Sequence, residues 1–98
     1  MIKEDIITQI AADTMTRKVL VEEVVNSFLD NIEKAMVNGD NVIIRGFGTF
    51  QTTERKAKVG RNIKAGIPVR IPAHIEPVFK PSEALKKKVY REVSVSYT

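Results

Sequence analysis

The sequence predicts an α+β fold in which two N-terminal helices precede a long β-hairpin and a short C-terminal helix. Apolar residues recur at helical period through the first 38 residues. The next long stretch, residues 46–79, has apolar residues at both ends and a basic middle punctuated by Gly and Pro. Because that middle has few large apolar side chains to bury, we expect it to project as a two-stranded arm.

The first helix is predicted over residues 3–13 and the second over about 17–38. The first has an apolar stripe at helical spacing, formed by Ile6, Ile7, Ile10 and Ala11. The second has a longer stripe, formed by Val21, Val24, Val25, Phe28, Leu29, Ile32, Ala35 and Met36. Thr16 is placed to cap the second helix, and Gly39 to end it in a left-handed conformation.

The sheet is predicted to begin with a short strand at 42–44, followed by a glycine turn at 46–48. The outgoing strand of the arm is predicted over 49–58 and the returning strand over 69–79. Proline cannot donate a ladder hydrogen bond, so the prolines of this region belong at edges or bulges. They are Pro68, Pro72 and Pro77.

The last predicted helix begins after Ser82, a good N-cap, and runs from residue 83 to about 91. Ala84, Leu85 and Val89 would face inward, with a run of three lysines outside. The following segment, 92–98, alternates apolar and polar residues, which fits either a frayed tail or a short strand.

Size and charge indicate a self-associating protein with an anionic partner. The chain has 98 residues, and a body reduced by a projecting arm is of the size at which oligomerisation commonly helps. Residues 1–50 contain five Lys/Arg and eight Asp/Glu, whereas residues 51–98 contain eleven and four. This asymmetry favours a polyanion bound by one face, commonly nucleic acid and more rarely an anionic membrane.

Several other classes are disfavoured. The chain has no Cys and no apolar run of membrane-spanning length, and its first residues contain no signal-peptide pattern, so we expect a soluble intracellular protein. His74 is the single histidine and is predicted to be a surface residue. Catalytic triads, phosphate loops and paired carboxylates are not visible, so we expect neither an enzyme nor a cofactor or metal. The two helices also suggest a helix-turn-helix, but a long acidic second helix fits packing better than DNA contact.

One set of motifs resembles a known family. The sequence reads GFGTF at 46–50, GRN at 60–62, IPA at 71–73, FKPS at 79–82 and LKK at 85–87. With this spacing, residues 1–90 resemble the bacterial HU and integration host factor family of DNA-bending proteins. The resemblance implies an intertwined dimer with a three-stranded antiparallel sheet as a saddle. Two extended β-arms would embrace the DNA minor groove, and an apolar residue at each tip would wedge between base pairs.

The resemblance also divides the chain, as one domain, into regions. It implies a helical dimerisation region at 1–40, a saddle and arm at 41–81 with the arm at about 52–76, a C-terminal helix at 82–91 and a tail at 92–98.

The expected DNA-binding residues come from the charge pattern of the arm and from the resemblance. The cations along the arm are Arg55, Lys56, Lys58, Arg61, Lys64 and Arg70. The resemblance places Arg55, Lys58, Arg61 and Asn62 at the minor groove, and Lys3, Lys80 and Lys86 at the flanking backbone. It makes Ile63 the intercalating wedge. The expected dimer core is aromatic and contains Phe28, Phe47, Phe50 and Phe79.

The chain departs from the family pattern at a few positions. Ile63 stands where the family has a wedge proline, which leaves the tip less preorganised. Lys58 replaces a frequent arginine and so offers a point charge instead of a bidentate fork. Ala65 and Ile67 stand where a threonine and an acidic residue are common, and Glu83 replaces a frequent cation.

These observations predict a homodimeric, histone-like protein that binds duplex DNA in the minor groove with little sequence specificity, bends it and compacts the nucleoid. Its partners would be double-stranded DNA and a second copy, with no membrane and no small-molecule substrate. One alternative is a subunit of a sequence-selective heterodimer of the integration host factor type. Another is a protein- or membrane-interaction module that kept the fold and lost DNA binding.

Overall fold

The computed structural model describes residues 1–62 and 66–94, with side chains for all of these except residues 61 and 62. It contains three helices and five strands within this part of the chain, and the predicted α+β fold is confirmed. The elements in chain order are α1 (Lys3–Thr14), α2 (Lys18–Val37), β1 (Val42–Ile44), β2 (Gly48–Arg55), β3 (Lys58–Asn62), β4 (Ile67–Ile71), β5 (His74–Pro81) and α3 (Glu83–Val89).

The two N-terminal helices form a hairpin closed by a left-handed residue, Met15, with φ of 52°. The carboxylate of Asp5 accepts a hydrogen bond from the backbone N–H of Ile2 at 2.7 Å and so caps α1. The prediction that Thr16 caps α2 is wrong, because the N-cap is Arg17 without a side-chain bond. The Thr16 hydroxyl lies one residue too early and donates to the carbonyl of Thr14 at 3.2 Å.

Helix α2 ends as the sequence predicts. The backbone of Gly39 adopts φ of +81°, the left-handed conformation that favours glycine after a helix. Its N–H donates to the carbonyl of Met36 at 3.0 Å. The chain then turns directly into β1.

The body contains a three-stranded antiparallel sheet in the order β1-β2-β5. Its central strand, β2, pairs with β5 along its whole length, with Phe50 opposite Phe79 and Arg55 opposite His74. A separate two-stranded sheet, β3 with β4, forms the arm. The prediction of continuous strands over 49–58 and 69–79 is therefore wrong, because each of these strands is interrupted where the body ends and the arm begins.

The interruption has a physical cause on the returning side. Residues 56–57 separate β2 from β3, and residues 72–73 separate β5 from β4. Pro72 has no N–H to donate to a ladder, so it favours a break at this level. The arm is thereby joined to the body by two short non-strand segments.

A close aromatic packing arrangement holds the turn between β1 and β2 against β5. The ring of Phe79 lies 4.8 Å from that of Phe50 and 5.5 Å from that of Phe47, centroid to centroid. Gly48 lies beneath these rings and is buried. A Cβ at Gly48 would come within 2.5 Å of Phe79 Cζ and 2.6 Å of the Lys80 carbonyl oxygen, so a side chain does not fit there. Gly46, in the turn itself, has φ of +79°.

Helix α3 begins where the sequence predicts and ends slightly earlier than predicted. The Ser82 hydroxyl accepts a hydrogen bond from the N–H of Leu85 at 3.1 Å, so its role as N-cap is confirmed. The helix ends at Val89 instead of about residue 91. Residues 90–94 form no regular structure, and the remainder of the tail lies outside the described residues.

The chain on its own has a very small core. In the described part of the chain, the buried large apolar side chains are Ile7, Val21 and Ile32. By contrast, Val24 is 68% exposed and Phe28 53% exposed on the same helix, α2. The radius of gyration is 19.4 Å, compared with about 13 Å for a compact domain of this length. An extended chain with so little buried surface needs a partner to cover its apolar face.

In the described residues, none of the helices has the length and apolar character needed to cross a membrane.

Candidate nucleic-acid interface

In its described residues, the arm carries its cations on a ribbon without a buried core. Lys58 of β3 and Arg70 of β4 are both exposed, and every described side chain of β4 before Ile71 is exposed as well. Arg70 lies opposite Val59 in the register. At the base of the arm, these residues border a hollow of about 450 Å³. Its lining consists of Ala57, Lys58, Val59, Arg70, Ile71, Pro72 and Ala73. Two cations and several apolar side chains therefore line the same hollow.

Three charged or titratable side chains meet where the arm joins the body, and we call them the root cluster: Arg55, His74 and Glu76. The Nε of Arg55 donates to Glu76 Oε1 at 2.6 Å. The other carboxylate oxygen, Oε2, lies 2.9 Å from His74 Nε2. The remaining imidazole nitrogen, Nδ1, lies 2.9 Å from the Pro72 carbonyl oxygen. Glu76 therefore uses both oxygens within the cluster.

These contacts change the proton affinity of two of its members. The Pro72 carbonyl, and then the Glu76 carboxylate, raise the pKa of His74 above its ordinary value of 6.5. The Arg55 guanidinium, and then His74, lower the pKa of Glu76 below its ordinary value of 4.5. A protonated His74 and an ionised Glu76 therefore favour each other.

The root cluster lies beside a second hollow of about 500 Å³. Its lining consists of Arg55, Lys56, Ala57, Lys58, His74 and Glu76. The predicted contacts Arg55, Lys56 and Lys58 are thus brought together at one place. Glu76 is the carboxylate among them, and Arg55 is already paired with it.

The predicted cations of the body are dispersed. The ammonium of Lys3, at the start of α1, donates to Asn26 Oδ1 on α2 at 2.7 Å. Lys80 is exposed on β5 opposite Thr49. Lys86, on α3, donates to Glu83 Oε1 at 3.4 Å, so the carboxylate at that position offsets a neighbouring lysine.

The four phenylalanines expected in the dimer core do not form one cluster in the single chain. Phe47, Phe50 and Phe79 pack together, yet Phe47 and Phe79 keep more than a third of their surface exposed. Phe28 lies separately on the exposed face of α2. Their assignment to a dimer core stays a prediction.

The tip of the arm carries four further predicted contacts. Residues Arg61 and Asn62 are the last two of β3, opposite Pro68 and Ile67, and their side chains lie outside the described set. Ile63 and Lys64 lie outside the described residues altogether. The wedge assignment therefore rests on the sequence.

Sequence reasoning missed the role of Glu76 and took His74 for an isolated surface residue. The signal was present in the strand pattern, since His74 and Glu76 are two apart and share one face of a strand. Arg55 could be added only once the register placed it opposite His74. In the described residues, no group of three or more His, Cys, Asp or Glu side chains is arranged to hold a metal ion.

Comparison with known proteins identifies the family. The family described as "Bacterial DNA-binding protein" matches residues 1–90. The chain belongs to this family. Within the family, it is 40% identical over 87 residues to the DNA-binding protein HU of Lactococcus lactis, covering 89% of this chain and 96% of that protein. It is also 42% identical over 69 residues to integration host factor subunit beta of Halorhodospira halophila, covering 70% and 68% of the two chains.

The family fold is evident in solved structures as well. An Anabaena HU–DNA cocrystal structure superposes on this chain with a TM-score of 0.84 and 34% sequence identity. The match covers 91% of this chain and 97% of that one. The family and fold predicted from the sequence motifs are thereby confirmed.

Proposed function

We propose that this chain is a homodimeric architectural protein that binds duplex DNA in the minor groove, bends it and associates with the nucleoid in the cytoplasm. The observation that carries the proposal is the arm, β3 with β4, which is cationic, lacks a core and extends from a small body. An exposed two-stranded ribbon is marginally stable alone, and a polyanion supplies the partner that its charges need. The family's HU–DNA structure supports the same role.

The proposed contacts act mainly through charge. Arg55 and Lys56 at the root of the arm, and Lys58 and Arg70 on the arm, would neutralise phosphates, with Arg61, Asn62 and Lys64 nearer the tip. Lys3, Lys80 and Lys86 would meet the flanking backbone from the body. Binding of this kind releases counterions and reads little base sequence, so no catalysis or cofactor is required.

The dimer is part of the proposal because the single chain leaves apolar surface uncovered. The exposed residues Leu20, Val24, Phe28 and Leu29 lie along α2. The aromatic cluster around Phe79 is only partly covered. Burying both surfaces between two copies would give each chain the core that it lacks.

The salt dependence of DNA binding tests this function. If the dimer makes on the order of 6–10 phosphate contacts, affinity for a short duplex should fall roughly 10³–10⁵-fold between 50 and 200 mM salt. Fluorescence anisotropy with a labelled duplex of random sequence measures this change. A flat salt dependence would contradict the proposal and favour a protein-interaction module instead.

Bending is tested separately by the bend angle of a short duplex, with and without a nick. Ile63, the proposed wedge, should matter more for the angle than for affinity, because a wedge changes base stacking more than phosphate contact. Ile63→Ala should therefore reduce the bend angle measured by fluorescence energy transfer while keeping most of the affinity. An unchanged angle in Ile63→Ala would remove this residue from the wedge role.

A second candidate function is a subunit of a sequence-selective heterodimer. The 42% identity to integration host factor subunit beta favours it. Purification of this chain alone separates the two functions. A stable dimer that binds random duplex supports the homodimer, whereas a chain that dimerises or binds only with a second, different subunit supports the heterodimer.

A further inference from the structure

The root cluster has a feature that phosphate neutralisation alone does not account for. Arg55 is a proposed DNA contact, yet its Nε is already paired with Glu76 at 2.6 Å. Both side chains remain accessible, at 56% and 39% of their surface. An exposed pair of this kind contributes little to folding stability. Its larger consequence is that Arg55 meets an incoming phosphate with a carboxylate already in place.

We propose that Glu76 is an internal counter-ion that competes with DNA phosphate for Arg55, and that His74 sets the strength of this competition according to pH. The inference rests on the proposed function, since it needs DNA at the root of the arm. It assigns a role to two residues of β5 that lie outside the predicted DNA contacts. These two residues of the chain itself would then adjust the affinity of the arm for DNA.

The geometry supports competition because Glu76 has no oxygen left over. One oxygen accepts from Arg55 and the other is in contact with His74. A phosphate that approaches the Nε of Arg55 must therefore displace or share this carboxylate, and one that approaches the other guanidinium N–H groups meets a cation whose charge Glu76 already offsets. The surrounding hollow supplies Lys56 and Lys58 as well, so the phosphate has other cations to approach while Arg55 is exchanged.

The charge of the root cluster depends on His74. With His74 neutral, the positive charge of Arg55 and the negative charge of Glu76 cancel. With His74 protonated, the cluster carries one net positive charge, and Glu76 has a second cation to bind. Arg55 is then released more easily. A proposed dimer has two root clusters, so acidification adds up to two positive charges at the places where the arms leave the body.

The other charged groups around His74 act in both directions. Arg55 comes from β2, opposite His74, and it opposes protonation. Lys56 and Lys58 line the hollow from the junction and from β3. Glu33 of α2 lines an adjoining hollow together with Glu76. The contacts of His74 with the Pro72 carbonyl and Glu76 outweigh the opposing cation, so the pKa of His74 lies above its ordinary value of 6.5.

A pair of charge-matched variants provides the first test. Glu76→Gln removes the competing charge. Glu54→Gln removes an exposed carboxylate from the residue before Arg55 in β2, whose side chain lies on the opposite face of that strand from Arg55. Freeing Arg55 in both protomers should steepen the salt slope of log K by up to about 1.8 and so tighten duplex binding by up to about 60-fold at 0.1 M salt. Glu54→Gln should produce only the small change expected from net charge.

A second test uses pH. Wild-type affinity for a duplex should be higher at about pH 6 than at about pH 8, because His74, whose pKa is raised above 6.5, is more protonated at the lower pH. The rise should be smaller in His74→Gln. Glu76→Gln should bind more tightly than wild type at both pH values, since the competitor is gone. A rise in His74→Gln that is as large as in wild type would overturn the assignment of His74.

Proton NMR of the imidazole keeps the inference testable without DNA. The signal is unambiguous because the chain has a single histidine. Glu76→Gln should lower the pKa of His74, and Glu54→Gln should leave it unchanged. Equal values in the two variants would mean that the cluster does not form in solution.

The outcomes separate this inference from the proposed function. If the wild-type chain binds duplex with a steep salt dependence but Glu76→Gln and Glu54→Gln bind alike, the competition is wrong and the function stands. If the wild-type chain fails to bind duplex at any salt concentration, the proposed function fails and the inference fails with it.

Discussion

Helix α2 and the arm differ in what they leave uncovered. On α2, the accessible surface contains an apolar stripe that includes Val24, Phe28 and Leu29. On the arm, it is basic and includes Lys58 and Arg70 among small and β-branched residues. Apolar surface is stabilised by another apolar surface, whereas a row of cations is neutralised only by a polyanion. The two regions therefore call for different partners.

This difference predicts that mutations in the body and mutations in the arm change different properties of the protein. Substitutions in the body should change association and folding, because its fold depends on burial. Substitutions in the arm should change DNA affinity with little effect on folding, because the arm contributes few buried contacts. The variants below test this separation, in order of decreasing expected effect.

The largest effect is expected at Phe28. If a second copy covers this ring, Phe28→Ala should cost about 3–5 kcal/mol of association free energy, which raises the dimer dissociation constant by roughly a hundredfold to several thousandfold. Sedimentation equilibrium measures this change. The control is Val59→Ala on the arm, where the side chain is 67% exposed. Equal weakening by both variants would contradict the separation of the two regions.

The next largest effect is expected from a comparison of two strand glycines, Gly48 and Gly60. A Cβ at Gly48 would lie 2.5 Å from Phe79 Cζ, whereas one at Gly60 would lie 3.5 Å from Ile71 Cδ1. Gly48→Ala should therefore destabilise the fold by about 1–3 kcal/mol through overpacking. Gly60→Ala should stay within about 0.5 kcal/mol of wild type.

Chemical denaturation of the two glycine variants measures this comparison. The dimer concentration must be the same in both, because association contributes to the stability of each. A larger loss in Gly60→Ala than in Gly48→Ala would show that the arm, and not the aromatic cluster, limits folding.

The body was easier to predict from the sequence than the arm. Its helices follow from apolar periodicity, and the ends at Gly39 and Ser82 follow from local capping chemistry. Periodicity does not report whether a stripe faces the same chain or another. For this reason the exposure of Phe28 and Val24 could be learned only from the structure.

The arm and the root cluster depend on long-range register. Nothing in the sequence at residues 56–57 signals a break, and only Pro72 on the opposite side does so. Arg55 and Glu76 are 21 residues apart, and their pairing requires the alignment of β2 with β5. From the sequence, Arg55 is one of several cations, and its pairing with the Glu76 carboxylate is evident only in the structure.

A smaller effect is expected at Arg70, which should act on DNA binding and not on folding. Arg70→Gln removes one phosphate contact from each arm, so the salt slope of the dimer should become shallower by about 1.8. Stability should remain within about 0.5 kcal/mol. The charge-matched control is Lys34→Gln, on the exposed surface of α2. Identical slopes for the two variants would imply that only net charge matters.

The smallest effect is the contribution of the root cluster to folding, because its members are exposed. A raised pKa of His74 gives stability that is present below 6.5 and lost as pH rises through the higher folded value. A lowered pKa of Glu76 gives stability that is present above 4.5 and lost as pH falls through the lower folded value. The cluster should therefore stabilise the fold most between these two ordinary values.

His74→Gln tests this window, because glutamine keeps hydrogen-bonding groups but cannot acquire a charge. The melting temperature of His74→Gln should fall slightly below that of wild type at about pH 5.5, and this deficit should be smaller at about pH 8. Thermal denaturation followed by circular dichroism measures both. A deficit that is equal at the two pH values would reflect lost packing instead of lost charge. The charge of His74 would then contribute nothing to the stability of the free protein.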